Sequence, residues 1–215
     1  MDLRLVLTSP SYIVASMRLR RFIRTHPDLP WLTRDAIDHL STMLHADDCG
    51  LEWGSGRSTL WFAKRVQHLI SVEHNREWFE RVRTMVAGIS NVDLRLCEVP
   101  ADQVRMMDES ESPDYVRVAE ELKPESLGFV LVDGGLARDQ CAHRAIPLLK
   151  SGGILIVDNA NWYLPSDSKA PSSRRPGDNR RCDAASWDSF LTKVAQWRHI
   201  WTTDGVTCTA MWLKP

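Results

Sequence analysis

The chain has 215 residues, of which 43% are hydrophobic and 26% charged, and its formal net charge is -1. This composition is typical of a soluble globular protein, and the near-neutral charge argues against a strongly basic nucleic-acid-binding domain. A chain of this length is long enough to bury the core of one domain, whereas two full domains would be small.

Cysteine usage and hydropathy predict a cytoplasmic protein. The five cysteines are spread along the chain without a C-x-x-C pair, which favours reduced thiols over a zinc knuckle or a disulfide framework. No segment approaches the roughly 18 apolar residues of a membrane span, and the N-terminal segment lacks a secretory signal. We therefore expect no membrane partner, and the sequence leaves open whether the chain forms a homodimer.

Helices and strands alternate in the first half of the chain, after an N-terminal helical extension over residues 1–32. Thr33 is a typical N-cap, and the apolar residues after it recur at helical spacing. In chain order we predict a helix over 33–44, a strand over 48–53, a helix over 58–66, a strand over 68–73, a helix over 76–86 and a strand over 92–96.

The same alternation continues to the end of the chain. Residues 165–183 are rich in Ser, Pro, Arg and Asp, which predicts a long surface loop, and Asp204-Gly205 is a typical hairpin turn. We predict helices over 113–122, 138–149 and 184–197, and strands over 128–133, 154–158, 199–203 and 206–213.

This order of elements predicts an α/β fold, with a Rossmann-like doubly wound sheet and helices on both faces. Five parallel strands come first, and the hairpin at the end of the chain adds antiparallel pairing. Residues 33–215 then form a single domain.

A glycine turn lies where the first predicted strand hands over to a helix, in the segment Glu52–Thr59. Glycine allows a tight turn and the close approach of a ligand. Dinucleotide sites place a third small residue where this chain has Thr59, and the Glu52 carboxylate suits an ammonium group better than a phosphate. The turn therefore indicates a nucleotide site that departs from the usual pyrophosphate fingerprint.

The second predicted strand ends in Glu73, about 20 residues beyond the glycine turn, where a carboxylate can accept the ribose hydroxyls of an adenosine. A solvated acid at the end of a strand is the alternative interpretation. The glycine turn upstream favours ribose binding.

On these residues the chain resembles the class I S-adenosylmethionine (SAM)-dependent methyltransferases over about residues 33–213. Glu52-x-Gly54-x-Gly56 matches their first motif, and Glu73 matches their ribose-binding acid. The resemblance implies a mostly parallel seven-stranded sheet, with Glu52 near the cofactor's amino group and Glu98 or Asp102 near adenine. The predicted cofactor-binding residues are Glu52, Gly54, Ser55, Gly56, Ser58, Glu73, His74, Glu98 and Asp133.

A second set of polar side chains, Asp133, Asp158 and Asn159, follows the fourth and fifth predicted strands. Strand ends converge in an open α/β sheet, and hard oxygen ligands suit Mg²⁺. The set resembles the metal ligands of cation-dependent O-methyltransferases of the catechol and caffeoyl-coenzyme A group, where the metal activates a substrate hydroxyl. That family has a catalytic Lys where this chain has Leu136. In the alternative, Asp133 contacts the cofactor and the Asp-Asn pair merely ends its strand.

The catalytic candidates are Asp133 and His143, with His74 or a metal-polarised hydroxyl as alternatives. Arg138 cannot serve as a base, because its guanidinium does not lose a proton in proteins. An aromatic platform with amide donors follows the fifth strand and is a candidate substrate wall. Its residues are Asn161, Trp162 and Tyr163.

Basic side chains cluster in the predicted surface loop. Guanidinium groups favour carboxylates and phosphates, so this loop could bind an anionic small-molecule substrate. In the alternative interpretation, the loop is simply solvated. The residues are Lys169, Arg174, Arg175, Arg180 and Arg181.

Methyl transfer from a sulfonium needs mainly in-line positioning, so the absence of an evident base is tolerable. We predict a SAM-dependent methyltransferase acting on a small molecule, by O-methylation of a sugar or natural-product hydroxyl, with Mg²⁺ as an optional second cofactor. An NAD-binding Rossmann domain, an RNA methyltransferase and a non-catalytic scaffold are the alternatives. The near-neutral charge argues against a nucleic-acid partner.

Overall fold

The computed structural model describes residues 10–99, 113–179 and 181–215, and these form one seven-stranded sheet in the order β3-β2-β1-β4-β5-β7-β6. Six strands match the predictions to within two residues at each end, and β5 begins earlier. The strands are β1 (Cys49–Trp53), β2 (His68–Glu73), β3 (Val92–Leu96), β4 (Leu127–Val132), β5 (Leu149–Val157), β6 (Arg198–Thr203) and β7 (Cys208–Leu213).

Helices connect the strands, and a 3-10 helix, Val118–Glu121, continues from α5. Residues 1–9 of the predicted N-terminal extension lie outside the described residues. The helices are α1 (Pro10–Thr25), α2 (Arg34–Met43), α3 (Arg57–Ala63), α4 (Arg76–Met85), α5 (Asp114–Arg117), α6 (Arg138–Leu148), α7 (Ala160–Tyr163) and α8 (Ala184–Lys193).

The strand order reverses at β1, which pairs in parallel with β2 on one side and with β4 on the other. In open α/β sheets the ligand crevice lies at such a reversal, beyond the carboxyl ends of the strands. β7 pairs antiparallel with both β5 and β6. The mostly parallel sheet with an antiparallel hairpin at its end is thus confirmed.

Both faces of the sheet are covered by helices, because successive side chains of a buried strand point to opposite faces. In β4, Val130 and Val132 pack on one face with residues of α6 and α8, such as Cys141 and Trp187. The side chains on the other face pack with α2 and α3, and include Phe129, Leu131, Leu40 and Phe62. The predicted two-layer covering is confirmed.

The fifth strand differs from its prediction, because β5 begins at Leu149, directly after α6, instead of at residue 154. Gly152 has a φ of +76°, and the register between β4 and β5 shifts in this region. Its N–H donates to the carbonyl of Lys214, 2.8 Å away. Gly152 and Gly153 therefore lie in an irregular first part of β5.

Two predicted helices are also shorter than expected: residues 113–122 contain α5 and the 3-10 turn, and α8 ends at Lys193. Residues 165–183 contain no helix or strand in their described part.

In the three described ranges, no helix has the length and apolar character needed to cross a bilayer. The five cysteines are free thiols.

We predict that Gly50→Ala destabilises the fold. A Cβ at Gly50 would lie 2.1 Å from the ring of Phe129, its register partner on β4, and that ring stacks on Phe62 at a centroid distance of 4.5 Å. The free energy of unfolding, measured by urea denaturation, should fall by about 1–3 kcal/mol. In Gly50→Ala/Phe129→Leu the loss should be smaller than the sum of the two single losses. If the two losses in unfolding free energy were additive, the Gly50 Cβ would not clash with the Phe129 ring.

Candidate active site

A cavity of about 630 Å³ opens at the carboxyl ends of β1, β2 and β4, within the size range of small-molecule sites. Seven of the nine predicted cofactor-binding residues line it, namely Gly54, Ser55, Gly56, Ser58, Glu73, His74 and Asp133. The lining also includes Trp31, Arg57, Asn75, Glu77, Trp78, Arg81, Met85, Gly134 and Gly135.

The glycine turn brings the ends of β1 and β4 together. Gly54 has a φ of +97°, and a Cβ on it would lie 2.5 Å from the backbone nitrogen of Gly134. That nitrogen donates to the carbonyl of Trp53 over 2.6 Å. Only glycine combines this backbone conformation with this close approach.

Trp78 forms the wall of the cavity beside Gly56, a contact that the sequence motifs did not indicate. Its indole nitrogen donates to the carbonyl of Ser55 over 2.6 Å, and a Cβ on Gly56 would lie 3.9 Å from its ring. Asn75 caps α4 by accepting from the backbone N–H of Trp78. The Asn three residues before Trp78 is the local signal that could have placed this ring at the start of a helix.

The Glu73 carboxylate lies in the cavity and already accepts three backbone N–H groups. Oε1 accepts from His74 and Asn75 over 2.9 and 2.8 Å, and Oε2 accepts from Ser55 over 3.2 Å. A carboxylate offers about four lone-pair positions, so one remains on Oε2. In this conformation Glu73 can accept one ribose hydroxyl, where the sequence predicted two.

Glu52 does not line the cavity, although its position in the motif predicted a contact with the cofactor's amino group. Its side chain is fully buried beneath α3, where Oε1 accepts from the hydroxyls of Thr59 and Ser71. Thr59 in turn accepts from the backbone N–H of Gly56 over 2.9 Å. Glu52 therefore holds the glycine turn through Thr59. Burial raises its pKa to about 7, against the opposing effect of these hydroxyls.

The buried hydroxyl of Tyr115 has no hydrogen-bond partner among the described residues, and Nδ1 of His74, which also has none, lies 3.2 Å from Oε1 of Glu73. The two rings meet edge to face at 5.4 Å. Buried polar groups are normally paired, so unpaired ones beside a cavity are expected where a ligand supplies the partner. Glu73 and the glycine turn, which do line the cavity, fit a nucleoside-containing cofactor such as SAM.

The mouth of the cavity carries two tryptophans and two arginines. The rings of Trp31 and Trp78 lie 6.4 Å apart, and Trp31 is 52% exposed. The guanidinium of Arg57 lies 5.5 Å from the Trp31 ring, and that of Arg81 lies 5.8 Å from the Trp78 ring. Neither arginine forms an ion pair with a carboxylate of the described residues.

The side chains predicted to bind Mg²⁺ do not fit a metal site. Arg138 donates to Oδ1 of Asp133 over 3.1 Å, whereas Asp158 accepts from the hydroxyl of Thr209 over 2.8 Å. Asn159 donates its amide to the hydroxyl of Thr207, in the turn that precedes β7. In the described part of the chain, no three His, Cys, Asp or Glu side chains are grouped as metal ligands.

Burial raises the pKa of Asp133, and the charge and hydrogen bond of Arg138 oppose this rise. Asp158, which is 2% exposed, also has a raised pKa, first because of burial and second because of the nearby Asp133 charge. Both carboxyls are therefore more basic than ordinary aspartates. Only Asp133 lines the cavity.

Two other predicted site residues lie away from the cavity. His143 lies between α6 and α8, where Nε2 is 3.0 Å from the carbonyl of Ser186 and the ring packs edge to face on Phe190. Glu98 is exposed and pairs with Arg76. Asp102, the other candidate for adenine, lies outside the described residues. Of the two candidate histidines, His74 is the one that lines the cavity.

The predicted substrate wall is partly structural. Asn161 is fully buried and accepts from the backbone N–H of Cys208 over 2.9 Å, so its amide supports β7. Trp162 is 37% exposed, and the Tyr163 ring lies between the guanidinium groups of Arg138 and Arg181, at 5.1 and 4.6 Å. None of the three wall residues belongs to the described lining of the cavity.

The arginines of the basic loop are engaged in contacts within the protein. Arg174 is 3% exposed and binds the carboxylate of Asp188 and the carbonyl of Tyr163. Arg181 pairs with Asp183 over 2.8 Å. Arg180 lies outside the described residues. Arg174 therefore stabilises the loop and is not available to bind an anionic substrate.

Comparison with solved structures identifies the fold. A provisionally assigned caffeoyl-CoA O-methyltransferase from Staphylococcus aureus is 16% identical, with a TM-score of 0.58, and the alignment covers 100% of this chain and 96% of that one. A provisionally assigned methyltransferase from Streptococcus mutans, solved with S-adenosylhomocysteine (SAH), is 12% identical with a TM-score of 0.55, over 83% and 94% of the two chains.

An rRNA methylase from Streptococcus thermophilus shares the same architecture, at 11% identity and a TM-score of 0.52, over 82% of this chain and 92% of that one. No protein-family model and no curated protein sequence matches this chain. The chain has the fold of the class I SAM-dependent methyltransferases, and the fold is common to enzymes with small-molecule and RNA acceptors.

We predict that Glu52→Gln becomes more stabilising as the pH rises. The pKa of Glu52 is raised from 4.5 to about 7 in the native state, so its contribution to stability is complete below about pH 4.5 and is lost as the pH rises through 7. The amide mimics the neutral carboxyl. By urea denaturation, the variant should gain on the order of 2 kcal/mol over wild type between pH 5 and pH 8. A difference that does not change with pH would contradict the raised pKa.

Proposed function

We propose that this chain is a SAM-dependent methyltransferase that acts on a small molecule. The observation that carries the proposal is that the glycine turn and Glu73 line one cavity at the reversal of the strand order. The methyltransferase fold of the whole sheet supports it. When bound, SAM supplies an activated methyl group on a sulfonium.

Different residues of the cavity would contact different parts of the cofactor. Glu73 offers one lone pair of Oε2 to a ribose hydroxyl, and the His74 ring, which also lines the cavity, offers a further contact. Gly54 and Gly56 leave room above the turn for the amino-acid end of the cofactor. Glu52 supports the turn from beneath through Thr59.

The sheet topology argues against the NAD-binding alternative. Dinucleotide-binding sheets have the parallel order 3-2-1-4-5-6, whereas in this chain the antiparallel β7 lies between β5 and β6. Together with the altered fingerprint at Thr59, this supports SAM as the nucleoside ligand.

A small molecule is our proposed acceptor, because the net charge of -1 offers little attraction to a polyanion. The fold alone does not distinguish a small-molecule acceptor from an RNA acceptor, since an rRNA methylase shares it. Retention on heparin at low salt would favour an RNA acceptor instead. The arginines at the mouth, Arg57 and Arg81, support an acceptor with an anionic group, in place of the loop arginines that the sequence indicated.

We propose O-methylation of a hydroxyl, with Asp133 as the group that accepts its proton. Asp133 lines the cavity, its side chain is 29% exposed, and its raised pKa makes it a better base than an ordinary aspartate. A cytoplasmic location remains a prediction from the sequence, which leaves open whether the chain forms a homodimer.

We predict that wild type binds SAH but not NAD in isothermal titration, and that Gly56→Val lowers the SAH affinity at least about tenfold. The valine side chain would extend into the cavity beside Trp78. Gly88→Asn is the matched control, because no atom lies within 4 Å of an added Cβ there and Asn tolerates a φ of +85°. Unchanged affinity in Gly56→Val, with both variants folded, would place the cofactor elsewhere.

We predict that Asp133→Asn lowers kcat by about 10²-fold or more while SAH binding stays within about threefold of wild type. The acceptor would first be found by screening pools of small molecules with labelled SAM. The amide keeps an oxygen that can accept from Arg138 but cannot take up a proton at neutral pH. Full activity in the variant would exclude Asp133 as the proton acceptor.

A further inference from the structure

Arg138 is a buried cation at the edge of the sheet, and the sequence offered no role for it beyond excluding it as a base. Arg138 is 7% exposed. It begins α6 directly after Ala137, which has a left-handed φ of +45°. This turn of the backbone directs the guanidinium under the ends of β4 and β5.

The guanidinium joins the ends of these two strands by hydrogen bonds. Nε donates to the carbonyl of Gly134 over 2.5 Å, and Nη1 donates to the carbonyl of Asp158 over 2.6 Å. Nη2 donates to both the carbonyl and the carboxylate of Asp133. Four of the five N–H groups of this side chain are thus used, in the planar fork geometry that lysine cannot reproduce.

The other two predicted metal ligands turn towards β7 and its preceding turn. The Asp158 carboxylate accepts from Thr209, and the Asn159 amide donates to Thr207. Asn159 itself has a left-handed φ of +50°. A divalent cation bound to Asp133 would lie beside a fixed positive charge, in a buried region where like charges repel strongly.

We infer that Arg138 is the resident cation of this site: it neutralises Asp133 and joins the ends of β4 and β5, in place of a divalent metal ion. The chain therefore binds its cofactor and transfers the methyl group without Mg²⁺. Only the part of this inference that concerns cofactor binding and methyl transfer rests on the proposed function. The charge and hydrogen-bonding role of Arg138 stands on the geometry.

The first test is metal binding by wild type and by Asp133→Asn after treatment with EDTA and gel filtration. Mn²⁺ is the probe, and free Mn²⁺ is measured by electron paramagnetic resonance. We expect the same free Mn²⁺ signal with both proteins, and a wild-type SAH affinity that EDTA leaves unchanged within about twofold. A Mn²⁺ site present in wild type and lost in Asp133→Asn, or SAH binding that EDTA abolishes, would overturn the inference.

The second test removes the cation. Arg138→Ala should lower the midpoint of thermal unfolding by about 5–15 °C, because it leaves Asp133 and three carbonyl groups without their donor. Millimolar guanidinium should recover part of this loss, while sodium chloride at the same concentration should not. The control Arg76→Ala, which removes an exposed pair with Glu98, should shift the midpoint by less than about 2 °C.

An Arg138→Ala variant that unfolds at the wild-type temperature would show that the guanidinium does not hold the strand ends. Should the variant fail to fold, the Mn²⁺ measurement on wild type and Asp133→Asn still decides the inference. Absence of SAH binding by wild type under all conditions would refute the proposed function instead. The Mn²⁺ measurement would still test whether Arg138 takes the place of a metal ion.

Discussion

The whole site depends on how closely the ends of β1 and β4 approach each other. The carbonyl of Trp53 accepts from the N–H groups of both Asp133 and Gly134, and this is feasible only because Gly54 has no Cβ. β1 also pairs with β2, so the turn after β1 reaches the Glu73 carboxylate through the N–H of Ser55. Two strand pairings and one glycine thus arrange an acid, a turn and an aspartate around a single cavity.

Each buried acid at this edge of the sheet is compensated by a different partner. Glu73 accepts three backbone N–H groups, Asp133 pairs with Arg138, and Glu52 accepts two hydroxyls and has a raised pKa. Burying a charge is costly unless it is paired or neutralised. Oε2 of Glu52 and the hydroxyl of Tyr115 are buried polar atoms of this region that have no hydrogen-bond partner among the described residues.

The strands supply the floor of the site, and residues of the surrounding helices and loops supply its mouth. Trp31 precedes α2, Arg57 begins α3, and Trp78 and Arg81 lie on α4. These elements meet over the glycine turn although they are distant in sequence. Acceptor choice in this chain should therefore depend more on these helix ends than on the sheet.

The sequence by itself determined the strand limits of β2 and β3, the glycine turn and the position of Glu73, because hydrophobic periodicity and turn chemistry are local properties. It could not determine side-chain directions. Glu52 proved to face α3 and His143 to face α8, and Arg138 occupies the place proposed for a metal ion. Only the tertiary structure decided these outcomes, since a side chain's partners come from elements that are far apart in the chain and meet when the sheet and helices pack.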